Sequence, residues 1–231
     1  VDHMYKDKTL NVIMPVYNEG KTAYSIITRV LSQRSVDRLI IVYDKSTDNT
    51  LAEIKRAITG SKKAVLIYSD KKLGKGHAVK EGMKGVKKGL VLIQDADEEY
   101  YPEDYHKLLE AFDKRHPVFG RRAEYLGHSY MLGIAAARVH TILFNILYGQ
   151  SLKDINTCYK LFDVSMLNGM KFKEEGWAID HEIATRLAKN GYNIIEVPIR
   201  YKGRTFEEGK KVGPKAALED VVYLIKVRFT K

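Results

Sequence analysis

Two aspartates one residue apart, Asp95 and Asp97, follow the uninterrupted apolar run Leu90-Val91-Leu92-Ile93 and open an acidic cluster that continues through Glu98 and Glu99. Residues i and i+2 of an extended segment lie on one side of the chain. Two carboxylates at that spacing can therefore converge on one hard divalent cation, the arrangement Mg²⁺ adopts when a few carboxylates and substrate phosphates share it. An acidic turn after any strand has the same letters, so the pair gains its weight from what accompanies it.

The chain has 231 residues, 45% of them hydrophobic and 29% charged, enough for one domain with a full core. A single cysteine, Cys158, excludes an internal disulfide framework and a cysteine-based zinc site, and fits a reducing compartment. The formal net charge of +10 predicts a polyanionic partner: nucleic acid, an anionic membrane face or a phosphorylated small molecule. No RNP-like strand, helix-turn-helix signature or zinc spacing is present, and the basic residues are dispersed, so nucleic acid is set aside. His77, His106, His128 and His140 show no metal-ligand spacing. The longest apolar stretch, Met131 to Gly149, is interrupted by Arg138, His140 and Asn145, so no membrane span is expected. Val1-Asp2-His3 before Met4 reads as a vector-derived leader, and the expected location is cytoplasmic, peripheral at the cytosolic membrane face.

Elements that would position the aspartates follow from hydrophobic periodicity. Apolar strands are expected at Leu10–Val16, Leu39–Val42, Ala64–Tyr68 and Leu90–Ile93, separated by helices over Ala23–Leu31, Leu51–Ile58 and Gly74–Gly85. Strands that are apolar throughout and alternate with helices imply an α/β protein with a mostly parallel sheet flanked by helices. Such sheets bind ligands beyond the carboxyl ends of their strands, and three of these four end in polar or acidic residues. Further on, the pattern predicts a helix over about Pro102–Phe112, a short strand at Val118-Phe119, helices over about Met131–Tyr148 and Ile179–Asn190, and a strand over Tyr192–Tyr201. Pro198 places that last strand at a sheet edge or at its end. A basic loop, Gly203–Gly213, leads to a final helix from Pro214 to about Phe229.

The ordered strand-end segments Val12-Ile13-Met14-Pro15-Val16-Tyr17-Asn18-Glu19, Ile40-Ile41-Val42-Tyr43-Asp44-Lys45-Ser46, Gly74-Lys75-Gly76 and Gln94-Asp95-Ala96-Asp97 together resemble the family 2 glycosyltransferases. Asp154–Phe162, Glu196-Val197-Pro198-Ile199 and Gly203-Arg204-Thr205 with Glu208–Lys211 are similar to the dolichyl-phosphate (polyprenyl-phosphate) sugar synthase branch, typified by dolichol-phosphate mannosyltransferases. The resemblance runs from about Leu10 to Lys215 and implies a GT-A (Rossmann-like) fold. Residues 5–231 would form one domain, with a nucleotide-sugar half over 5–115 and an acceptor half over 116–231 that ends in the basic loop and helix.

Carried over residue by residue, the resemblance implies that Pro15, Tyr17, Glu19, Asp44, Lys75, Asp95 and Asp97 border the nucleotide sugar, a GDP- or UDP-hexose. Asp95, Asp97 and Glu99 would hold Mg²⁺ or Mn²⁺. Tyr43 stands where the family has the first acid of an Asp-Asp pair, and Lys45 where it has Gly or Asn. Arg121, Arg122, Arg138, Arg204 and Lys210 would face the acceptor phosphate, because a guanidinium binds phosphate oxygens in a fork. Asp97 and Arg204 would carry the catalysis. A phosphate monoester is already anionic at neutral pH and can attack the anomeric carbon with inversion without losing a proton first, whereas a sugar hydroxyl needs a general base. Asp180, in Ala178-Ile179-Asp180-His181-Glu182, stands where hydroxyl-glycosylating relatives carry that base, which keeps a saccharide acceptor open; helix capping is its other reading. Trp177 is either a stacking surface for the acceptor or a core residue. A catalytically inert binding subunit is a further alternative, given Tyr43.

Residues 200–231 hold nine Lys or Arg against four acids, half the net charge. Leu218, Val221, Val222, Ile225 and Phe229 recur there at helical spacing, a face for docking on the domain or on a bilayer. The expected partners are thus a nucleotide sugar, a lipid-linked phosphate, the membrane surface and a separate membrane subunit.

Overall fold

A computed structural model describes residues 8–126, 131–167, 172–205, 207–208 and 214–229, apart from the side chains of 131, 132 and 214–216. Seven strands form one sheet: β1 (Leu10–Val16), β2 (Arg38–Tyr43), β3 (Ala64–Tyr68), β4 (Leu90–Ile93), β5 (Val118–Tyr125), β6 (Lys160–Asp163) and β7 (Ile195–Tyr201). Their spatial order is β3-β2-β1-β4-β6-β5-β7. The helices are α1 (Ala23–Ser32), α2 (Thr50–Ile58), α3 (Lys75–Lys84), α4 (Tyr105–Ala111), α5 (Met131–Tyr148), α6 (Ile179–Lys189) and α7 (Pro214–Phe229). The mostly parallel, helix-flanked sheet expected from the alternation is present.

β1 and β4 sit in the middle, and their consecutive apolar side chains are buried, as a strand covered on both faces requires. Helices fit this sheet through one apolar side: Ala23, Ile26, Ile27 and Val30 of α1 are all buried. α3 lies so close to β1 that a Cβ on Gly82 would come 2.6 Å from Ile13 Cγ2, so only glycine allows the approach. Pro15 is tolerated in a central strand because β4 pairs with β1 only from Leu10 to Ile13.

Three strands differ from expectation. β5 extends to Tyr125 because it pairs in parallel with β7 along that length, with a register shift between Arg122 and Glu124. β7 starts at Ile195 rather than Tyr192 and lies at the sheet edge, where Pro198 can lack an N–H without breaking a ladder on its outer side. β6 was not expected at all. It is four residues long, begins with Lys160, ends with Asp163, and pairs antiparallel with both β4 and β5. Its reversed direction leaves β5 and β7 parallel to β1–β4, so six strands present their carboxyl ends at one edge.

On α7, Tyr223 and Leu224 are buried, while Leu218, Val222, Ile225 and Phe229 stay exposed, at 44–79%. The predicted apolar stripe is real, but it faces away from the domain. Val139, Ile142 and Ile146 of α5 are exposed as well, and α5 packs against α7. No helix among the described residues is long and apolar enough to cross a membrane.

Candidate active site

The segments that leave β1, β4 and β7 meet at the common carboxyl edge. β4 hands over to Gln94, which is fully buried; its amide accepts hydrogen bonds from Tyr105 Oη (2.6 Å) and Tyr159 Oη (2.7 Å) and donates to the Asp95 carbonyl (2.8 Å). This fixes the chain at the first aspartate. Thr22 of the turn after β1 donates to the Ala96 carbonyl (2.8 Å) and to Glu19 Oε2 (3.1 Å), which ties the two loops together. Glu19, the end of the β1 motif, is buried, and its carbonyl caps α1 by accepting from Thr22 and Ala23 N–H.

Arg204, three residues past β7, reaches into the acids. Its Nη1 donates to Glu19 Oε2 at 3.0 Å and its Nη2 to Asp97 Oδ2 at 3.1 Å and Glu19 Oε1 at 3.3 Å. The Arg204 backbone N–H donates to Glu99 Oε1 (3.0 Å), and Tyr201 Oη donates to Glu99 Oε2 (2.6 Å). Arg204 Nε is buried without a hydrogen-bond partner, 3.7 Å from Glu99 Oε1. Burial works against the guanidinium charge, but Asp97 and Glu19 outweigh it and raise its proton affinity. At Asp97 the balance is opposite: burial, then the charges of Glu99 and Asp95, push its pKa well above the carboxylate range despite Arg204.

A second chain of ion pairs starts at Asp95. Lys75 Nζ lies 2.8 Å from Asp95 Oδ1 and 2.7 Å from Asp180 Oδ2. Burial alone would lower its proton affinity, yet the two carboxylates hold it well above the ordinary lysine value. Asp180 also has Lys160 Nζ at 4.0 Å. Burial raises its pKa, but Lys75 and Lys160 win, and it stays below the ordinary value. Its Oδ1 is buried without a hydrogen-bond partner. Asp180 is therefore an anchored anion rather than a free helix cap; α6 shows no side-chain capping bond.

Among the described residues, the ion pairs of Glu19, Asp95, Asp97 and Glu99 at this edge include Arg204 and Lys75, two bases for four clustered acids. This surplus fits a divalent cation held by hard oxygen ligands. Asp95 and Asp97 would hold it, whereas both Glu99 oxygens already accept hydrogen bonds from Tyr201 and Arg204.

The remaining expected residues are placed as follows. Asp44, buried at the end of β2, accepts from the Leu73 N–H (2.8 and 3.0 Å) and the Gly74 N–H (2.8 Å), so it also anchors the loop before α3. Tyr43 stacks on Tyr68 with ring centroids 5.2 Å apart and accepts from the Ser46 N–H; the missing acid is replaced by a packing residue. Pro15 is half-buried in β1, and Tyr17 lies beneath Lys72, whose Nζ is 4.4 Å from the ring centre. Arg121 and Arg122 are neighbours on one strand, so they point to opposite faces. Arg122 is the inward one: it grips Asp154 in a fork at 2.7 and 2.8 Å and lies over the Tyr201 ring. Arg121 is half-buried opposite Pro198, and Arg138 is exposed on α5. Lys210 and His128 lie outside the described residues. Trp177 is 41% exposed with Lys75 Nζ 5.7 Å from its ring, so it is a surface at the site rather than core.

Two features were missed by residue reasoning. Lys160 is fully buried, donating to the Ile155 and Thr157 carbonyls and standing behind Asp180. A lysine next to Leu161-Phe162 was the available signal. Replacing Lys160 with Met leaves those carbonyls and Asp180 without their cation and should cost about 2 kcal/mol. A thermal melt should then fall by roughly 4–8 °C; an unchanged melt would remove Lys160 from the support of the site. The other is the docking of Glu174–Gly176 onto the start of α3. Glu175 O accepts from Gly76 N–H (2.8 Å) and His77 N–H (3.2 Å), and a Cβ on Gly76 would sit 2.5 Å from Glu174 O. Gly76→Ala must push that segment, and with it Trp177 and Asp180, outward. The expected result is a transfer rate about a hundredfold lower with unchanged circular dichroism; wild-type turnover would show that the segment yields without consequence.

Comparison with known proteins shows the family and the fold. Residues 11–169 match the model of Glycosyl transferase family 2. The glycosyltransferase AglJ of Haloferax volcanii is 28% identical over 201 residues, covering 84% of this chain and 63% of that protein. Undecaprenyl-phosphate 4-deoxy-4-formamido-L-arabinose transferase of Edwardsiella ictaluri is 26% identical over 207 residues, covering 87% and 62%. The chain therefore spans less than two thirds of the length of either. The crystal structure of glucosyl-3-phosphoglycerate synthase from Mycobacterium tuberculosis with Mn²⁺, UDP and glucosyl-3-phosphoglycerate superposes with a TM-score of 0.68 at 18% identity, covering 96% of this chain and 80% of that one, a likeness of fold. With the family model matched over more than half of its length, from β1 to beyond β6, this chain belongs to glycosyl transferase family 2.

Proposed function

We propose that the protein transfers a hexose, mannose or glucose, with inversion from a GDP- or UDP-sugar to a polyprenyl (dolichyl-type) phosphate at the cytosolic membrane face. The observation that carries this reading is Arg204: a guanidinium with one buried donor unfilled, paired with Asp97 and Glu19 at the carboxyl edge of the sheet. A bound Mg²⁺ or Mn²⁺ would stabilise the leaving diphosphate. Asp95 and Asp97 would hold that ion, with Gln94 and Thr22 fixing their backbone. Pro15, Tyr17, Glu19, Asp44 and Lys75 would border the donor. Arg204, with Arg121, Arg138 and Lys210, would orient the acceptor phosphate, and Arg122 would brace the Asp154 loop beside it.

The alternative, a saccharide hydroxyl activated by Asp180, is weakened by the same ion pairs. A carboxylate held below its ordinary pKa by Lys75 and Lys160 is a poor proton acceptor, whereas a phosphate nucleophile requires none. The undecaprenyl-phosphate relative acts on a lipid phosphate by its name, which supports the same choice. Exposed apolar side chains on neighbouring α5 and α7, with Arg138, Lys226 and Arg228 on the same helices, suit an anionic bilayer. Each basic group contributes about 1 kcal/mol there.

Incubation with GDP- and UDP-hexoses, Mg²⁺ or Mn²⁺, and either a polyprenyl phosphate or free saccharides tests the proposal. Metal-dependent appearance of a lipid-linked sugar is expected. Transfer to saccharide alone would overturn the acceptor assignment in favour of the Asp180 reading. Donor binding without turnover on any acceptor would point to a binding subunit.

A further inference from the structure

Behind α6, on the side remote in sequence from every strand-end motif, His140 of α5, His181 of α6 and Asp220 of α7 come together. All three are buried, at 2%, 3% and 7% exposure, and one donor atom from each lies within 4.8 Å of the others. His181 Nδ1 is 3.3 Å from Asp220 Oδ1, yet neither ring nitrogen of His181 makes a hydrogen bond. A buried imidazole with neither nitrogen hydrogen-bonded loses the solvation of two polar atoms, and the contact with Asp220 reaches only Nδ1. His140 is held differently. Its Nε2 lies 2.9 Å from the Ala217 carbonyl, which can only accept, so Nε2 carries the proton and Nδ1 the lone pair. That lone pair faces the Asn156 amide nitrogen at 3.0 Å, and Asn156 Oδ1 is itself buried and unpartnered.

The geometry points to a second metal site at His140, His181 and Asp220, one that takes a transition-metal dication, Zn²⁺, and staples α5, α6 and α7 together. Two imidazoles and one carboxylate match zinc donors, whereas Mg²⁺ prefers oxygen alone. Ligand atoms around tetrahedral zinc lie about 3.4 Å apart, given bond lengths of about 2.0–2.2 Å. The His181–Asp220 pair already has that separation, and the other gaps in the trio, none above 4.8 Å, close by little more than an ångström; His140 would bind through Nδ1, which Asn156 gives up. The hydrogen bond from His140 Nε2 to a backbone carbonyl is the outer partner that metal-bound histidines keep. α6 also carries Asp180, the neighbour of His181 and the partner of Lys75, so the staple would fix the far side of the helix that braces the carboxylate site.

The test uses the whole chain, stripped with a chelator and titrated with Zn²⁺ and, for its spectrum, Co²⁺. One tightly held Zn²⁺ per chain is expected, with visible Co²⁺ absorption of the tetrahedral kind and a raised melting temperature. His140→Ala and His181→Ala should each weaken zinc binding by at least about a hundredfold, the upper end of what losing an outer partner costs, while Asp97→Asn should leave it intact. Zinc binding unchanged in both histidine variants, or lost in Asp97→Asn, would assign the ion elsewhere and overturn the site. Should the histidine variants not fold, the wild-type Co²⁺ spectrum decides: a weak octahedral spectrum, or no uptake at micromolar metal, overturns it.

Discussion

Asp97→Asn should lower kcat/KM for sugar transfer at least about a thousandfold while the protein keeps its fold. A metal that stabilises a leaving diphosphate supplies several kcal/mol to the transition state, and about 4 kcal/mol is a factor of a thousand. Folding should survive because the site disfavours the charge of Asp97: burial, Glu99 and Asp95 all favour its neutral form. Asparagine keeps an acceptor for Arg204 and relieves that repulsion, so the melt should hold or rise. The two readouts therefore move in opposite directions, which a merely structural aspartate would not produce. Near-normal transfer would remove Asp97 from the metal assignment.

Arg204 is the other position where a large effect is expected. Arg204→Lys keeps the charge and loses the fork that grips Glu19 and Asp97 together. The expected cost is about a hundred- to a thousandfold in kcat/KM, most of it as a raised KM for the proposed lipid-phosphate acceptor. Arg204→Ala should do worse, since it leaves Glu19, Asp97 and Glu99 without the guanidinium they share. Steady-state kinetics with each substrate varied in turn separates the roles. An equal rise in both KM values would argue against an acceptor role for Arg204, and a rise confined to the donor KM would assign it to the donor diphosphate.

Much of this arrangement was legible before any coordinates. The apolar runs of β1–β4 and their polar terminations are strong signals because a doubly covered parallel sheet leaves no other use for such sequences. Asp95, Asp97, Glu19 and Arg204, separated by up to 185 positions, could be gathered only through the family resemblance. What stayed hidden has physical causes. β6 is short and begins and ends in charge, since Lys160 is buried through carbonyl contacts and Asp163 pairs with Lys8; alternation cannot reveal such a strand. Arg121 and Arg122 look alike in sequence, and only the pleat separates the buried fork on Asp154 from its neighbour. His140, His181 and Asp220 share no helical spacing, because each stands on a different helix.

The reversal of β6 has a consequence for how the protein tolerates change. With six strands aimed one way, the candidate site lies at one rim, and among the described residues the opposite rim carries chain reversals such as 33–37, 59–63, 85–89 and 112–117. Tags, fluorophores, tethers to a surface or inserted domains placed on that rim should leave turnover intact, while insertions of equal length after β1, β4 or β7 should abolish it. The molecule thus has a working end and a handling end, and the latter is where a laboratory, or evolution, can attach new parts.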